Sequence, residues 1–146
     1  MGARVRSVRE RFRRELLISG AAVTVFGVLH HVDHVIRGNH SGWPFQEAVT
    51  PFTFSLLIYA LLLPGLYLTG RRRLVAGYWF FVAFVGLALV FSVHFIGEER
   101  EAPMRDIYEV YGSPVAGLLA LAVLAALLIS LAALVIIAFR ARRAES

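Results

Sequence analysis

Apolar positions concentrate in four blocks, at residues 16–36, 51–69, 74–96 and 114–139, separated by polar or glycine-containing stretches. Each block has about the 20 residues that a helix needs to cross roughly 30 Å of hydrocarbon. Continuous apolarity over such lengths argues against barrel strands, which alternate in segments of about ten residues. The pattern predicts an all-α integral membrane protein: an antiparallel four-transmembrane-helix bundle, folded as a single membrane domain over residues 1–146.

Several boundaries carry their own chemistry. Thr50-Pro51 and Ser113-Pro114 each place a capping hydroxyl before a proline at the first helical position, where no hydrogen bond is lost. Pro64 lies inside the second block and is expected to bend it near Leu61. In the first fifteen residues, Val5, Val8 and Phe12 recur with Leu16 at helical spacing among arginines. That segment is expected to form a short basic amphipathic helix lying on anionic headgroups. A charged start before an apolar run also resembles a signal peptide, but no small-residue cleavage site follows, so the block is read as an uncleaved first helix.

Composition narrows the class further. Hydrophobic residues make up 58% and charged residues 17%, with a mean hydropathy of +0.69, against roughly 45–50% and 25% in soluble domains. A soluble enzyme is excluded. The chain has no cysteine, which excludes disulfides, thiolate zinc sites and iron–sulfur clusters and leaves any metal to nitrogen and oxygen ligands.

The net charge of +5 comes from 15 arginines and no lysine, and its distribution speaks against nucleic acid. Threading the blocks in alternation puts Arg4, Arg6, Arg9, Arg11, Arg13, Arg14, Arg71, Arg72, Arg73, Arg140, Arg142 and Arg143 on one side, and only Arg37, Arg100 and Arg105 on the other. By the positive-inside rule the N and C termini are cytoplasmic, and the plasma (inner) membrane is the expected location. The partners expected are anionic lipid headgroups and a second copy of the chain or a larger membrane complex.

All five histidines, His30, His31, His34, His40 and His94, fall on the outer half of this topology. At 100° per residue His30, Asp33, His34 and Arg37 share one helix face, with His31 turned to its flank. His94 and Glu98 are four apart at the same end of the third block. If the first and third helices are neighbours, three imidazoles and a carboxylate offer ligands for zinc, iron, copper or manganese. Asp33 is then expected as a fifth ligand or as acceptor of a hydrogen bond from a ligating imidazole, with Arg37 holding Asp33 and His31 in the outer shell. Glu99 and Glu101 would form an acidic vestibule in the 97–113 loop, which with the 37–50 loop closes the bundle mouth.

Three other readings use the same residues. Haem b could be held between His94 and His30 or His34, with Gly27, Gly86 and Gly97 letting the macrocycle approach, which would make the chain a redox subunit. A proton relay is weakened by the lack of ionisable groups in the inner half. A structural or assembly subunit without cofactor is supported by small residues on the fourth helix, such as Ala116 with Ala120 and Ala122 with Ala126. Whether any site is catalytic stays open at this level. Trp43, Tyr108 and Tyr111 outside, and Tyr67, Tyr78 and Trp79 inside, read as interfacial belts.

Overall fold

The computed structural model describes residues 2–38, 51–71, 75–96 and 109–145. Among these the chain is all-helical: α1 (Gly2–Arg37), α2 (Pro51–Ser55), a 3-10 turn (Leu56–Ile58), α3 (Tyr59–Gly70), α4 (Ala76–Phe95) and α5 (Pro114–Glu145). Four segments are long and apolar enough to cross a membrane: α1, the combined α2–α3 unit, α4 and α5.

α1 is a single helix of 36 residues, about 54 Å at 1.5 Å per residue, so it is far longer than the hydrocarbon it would cross. The separate helix expected over 1–15 is instead continuous with the first span. No glycine or proline interrupts residues 3–19, and Arg11 Nε–Glu15 Oε1 (2.8 Å) and Arg13 Nε–Glu10 Oε2 (2.9 Å) support the basic stretch as helix. α5 likewise continues past Phe139 to Glu145, with the Arg142 and Arg143 guanidinium groups over the rings of Phe80 and Phe139.

Pro64 sits inside α3 without ending it, and the departure from α geometry is the 3-10 turn at Leu56–Ile58. A proline cannot donate to the carbonyl four residues back and crowds the carbonyls of that turn. The Tyr78 hydroxyl donates to the Leu61 carbonyl in the same turn, which ties α4 to α3.

The buried positions of α5 are Gly117, Ala120, Leu124, Leu127, Leu131, Leu134, Ala138 and Ala141, an alternating 3–4 spacing. Those of α1 include Leu16, Gly20, Val23, Gly27, His30, His34 and Arg37, with the same alternation. Seams of this period let helices pack side by side at shallow angles. α5 makes the most extensive contacts, lying against both α1 and α4, whereas α1 and α4 touch each other over few residues.

One of those few places is Trp79. Its side chain is fully buried, and its indole Nε1–H donates to Thr69 Oγ1 at 2.8 Å. A Cβ added at Gly20 would lie 2.7 Å from the indole, and one added at Gly65 would lie 2.9 Å from it. Trp79 is therefore a core anchor rather than a belt residue, because two glycines open the space its ring fills. The opposite faces, with Ile18, Val25 and Ile36 on α1 and Phe81 and Phe84 on α4, are exposed apolar surface suited to lipid.

Candidate metal centre

The seam of α1 changes character along its length. It begins as Leu16, Gly20, Val23 and Gly27 and continues as His30, His34 and Arg37. Burial that was cheap for the first four positions becomes costly for the last three, because a buried polar group must find partners. Those partners come from α1 itself and from the end of α4.

His94, in the last turn of α4, completes a group of three with His30 and His34. One nitrogen from each of the three rings lies within 4.8 Å of the others, and all three residues are buried. The Nε2 atoms of His30 and His34 are 3.3 Å apart. Two nitrogens bound to one tetrahedral ion at about 2.0–2.1 Å lie about 3.4 Å from each other. His94 Nδ1–H donates to the Val90 carbonyl at 2.8 Å, so the neutral ring presents its Nε2 lone pair as the ligand atom. Adjacency of the first and third spans, which spacing alone could only assume, thus holds at this end of the bundle.

Asp33 and Arg37 form the intrahelical pair that their spacing predicts. Arg37 Nε and Nη2 lie 2.9 and 2.8 Å from Asp33 Oδ2, with the guanidinium fully buried. The other carboxylate oxygen accepts a hydrogen bond from the Tyr111 hydroxyl, in the turn that leads into α5. Burial, then the bond to Asp33, pushes the Tyr111 phenol up to about 12. Among the described residues no imidazole donates to Asp33, and Asp33 contributes no atom to the histidine group. Tyr111 is accordingly a tether between α5 and α1 rather than a belt residue. Nothing in its local sequence distinguishes it from a headgroup tyrosine.

His31 points elsewhere. Its Nε2 lies 2.9 Å from Ser55 Oγ, and its Nδ1 lies 2.7 Å from the Tyr59 hydroxyl and 2.8 Å from the Gly27 carbonyl. Ser55 Oγ–H also donates to the Phe52 carbonyl. His31 thereby pins the short α2 and the 3-10 turn against α1. This brings Phe52, itself buried, to within 5.1 Å of the His34 ring and 5.5 Å of the His31 ring, centroid to centroid. Phe52 is a wall of the site that the sequence pattern does not single out.

Stacking of Glu98 over His94 requires an unbroken helix between them. α4 ends at Phe95, and Ile96 has extended backbone (φ −120°, ψ 135°), so the stacking expectation does not reach Glu98. Glu98 itself, with His40, Glu99 and Glu101, lies outside the described residues.

No known protein family, curated protein or solved structure matches this chain. The functional reading therefore rests on the chemistry of the site.

Three histidines lie close enough together to hold a metal ion. Two of the glycines expected to admit a macrocycle face protein. A Cβ on Gly27 would meet the Tyr59 hydroxyl at 3.5 Å, and one on Gly86 would meet Leu131 at 3.3 Å. Gly97 lies outside the described residues. Three imidazoles supply borderline nitrogen donors of the kind that suit zinc, copper, iron and nickel.

Proposed function

We propose that this is a small polytopic membrane protein that binds one transition-metal ion through His30, His34 and His94, near the extracytoplasmic surface of the plasma membrane. The observation that carries the reading is the convergence of three buried imidazoles, from two helices, within 4.8 Å of one another. Polar side chains placed inside a span are costly, by about 2.5–3.5 kcal/mol for a charged one at mid-bilayer, and by default mark function. The arginine distribution supports an antiparallel bundle with both termini cytoplasmic, which puts the three histidines at the outer end. Anionic headgroups would meet the arginines of the inner end.

In this reading His94 Nδ1–H to Val90 fixes one ligand's tautomer, Phe52 keeps water from the His34 side, and the Arg37–Asp33–Tyr111 chain holds the two helix ends in place. The test is the metal content of protein purified in mild detergent without chelator or nickel resin, measured by elemental mass spectrometry beside His94→Ala. Near-stoichiometric metal in the wild type, lost in the variant, is expected. No metal in either sample, even after reconstitution, overturns the proposal.

A further inference from the structure

We infer that the arginine end of the bundle holds one anionic phospholipid at the junction of α4 and α5, its phosphate on Arg142 and Arg143 and an acyl chain along Phe80, Phe84 and Phe139. This rests on the reading that the inner end meets anionic headgroups, and it names the place where one of them is held; the histidines play no part in it. Other arginines at that end, Arg6, Arg9, Arg11 and Arg14, are exposed along α1. Arg142 and Arg143 differ because each stands over an aromatic ring of the bundle. The Arg142 guanidinium carbon is 5.4 Å from the centre of the Phe80 ring on α4, and that of Arg143 is 5.3 Å from the centre of the Phe139 ring on α5. The two rings are neighbours, 6.2 Å apart centre to centre. Two cations of one helix are thus placed over adjoining rings of two helices.

A guanidinium is attracted to the face of a ring and still carries N–H donors in its own plane, in the fork that matches a phosphate. Both arginines lie in the last turn of α5, where the helix dipole favours a cation. Deeper along the two helices the surface is apolar. Phe80 is stacked on Phe84, one turn further into α4, at 6.0 Å and 14° between ring planes. Phe84, Phe139 and Ile136 are all exposed. Cations at the helix end with exposed rings beneath them match the order of charge and hydrocarbon in an anionic phospholipid. Basic sites between membrane helices on the cytoplasmic side take such headgroups. A free phosphate would use the arginines and leave the rings unused. Arg71 provides the contrast: it too stands over a ring, that of Tyr67 at 5.4 Å, but its Nε donates to that tyrosine's own hydroxyl.

The test is native mass spectrometry of the full-length protein, released from mixed micelles holding dioleoylphosphatidylglycerol and dioleoylphosphatidylcholine in equal amounts. One phosphatidylglycerol per chain is expected to stay bound in preference to phosphatidylcholine. That preference should fall about fivefold in Arg142→Gln, and further when Arg143→Gln is added, while Arg71→Gln and Arg9→Gln leave it unchanged. Phe80→Leu removes a ring and no charge, and is expected to weaken the preference as well; indifference to Phe80 overturns the inference. Displacement of the lipid by excess inorganic phosphate assigns the arginines to a free anion and overturns it too. Equal losses in Arg71→Gln and Arg142→Gln overturn the single site but leave the general contact of the inner end with headgroups standing. No preference in the wild type removes both, and metal content measured on the same sample is independent of either result.

Discussion

The two ends of this bundle are equally well buried and built on opposite principles. At the end carrying Trp79, an indole is seated on Gly20 and Gly65 and makes a hydrogen bond to Thr69, so shape complementarity does nearly all the work. At the other end, His30, Asp33, His34, Arg37 and His94 occupy the same kind of core positions, each with polar atoms to satisfy. In lipid, where helices gain little from burying apolar surface against each other, close packing of the first kind is what stabilises a bundle. The second kind adds little stability for its cost, which is the physical reason to assign it a ligand. The difference teaches that burial alone does not separate structure from function in a membrane core; the number of polar atoms buried per helix turn does.

The comparison breaks most visibly with His94→Ala or His30→Leu. Either is expected to abolish bound metal, at a cost to the metal-free protein of about 1–3 kcal/mol for the buried partner it leaves, the Val90 carbonyl or His34 Nε2. Thermal unfolding in detergent, read beside metal content, checks both halves. Trp79→Ala should do the reverse, lowering stability by about 3–5 kcal/mol while folded protein still binds metal.

Asp33→Asn comes next, and it probes the boundary between the two behaviours. It leaves the Arg37 guanidinium, fully buried, without its counter-charge, a loss of about 3–5 kcal/mol for a buried pair. Tyr111→Phe removes only a hydrogen bond to that carboxylate, about 1.5–3 kcal/mol. Thr69→Val, which strips Trp79 of its acceptor, is expected to cost about 1 kcal/mol.

A pH series sharpens the Tyr111 assignment. Its phenol ordinarily ionises at 10.0 and is pushed up to about 12 in the fold, so the folded state holds the proton more tightly. The stability it contributes is fully present below pH 10 and is lost as pH climbs toward 12. Ultraviolet titration of tyrosinate should show one late-ionising phenol fewer in Tyr111→Phe than in wild-type protein. Ionisation near pH 10 would contradict the tether.

The four spans are legible in the sequence because about twenty continuous apolar residues match the thickness of a bilayer and exceed what a strand or a small soluble core can use. His30 and His34 are legible because four residues make about one helical turn. Trp79 and Tyr111 are not, since an aromatic near the end of an apolar run reads the same whether it meets a headgroup or a neighbouring helix. Lipid and protein interior are alike apolar, so the sequence carries no contrast between lipid-facing and core-facing sides. The end of α4 at Phe95 is hidden for a different reason: four-residue spacing from His94 matters only while the helix lasts, and the spacing itself does not say where it stops. The full length of α1 is hidden in the sequence because a change from apolar to basic residues alters what surrounds a helix without breaking it.

The central claim is that three imidazoles meet on one ion. X-ray absorption at the edge of whichever metal co-purifies tests it most directly. A first shell with three imidazole nitrogens at about 2.0–2.1 Å is expected, falling to two or none in His94→Ala. A first shell made of oxygen alone, or a spectrum indifferent to His94, would contradict it.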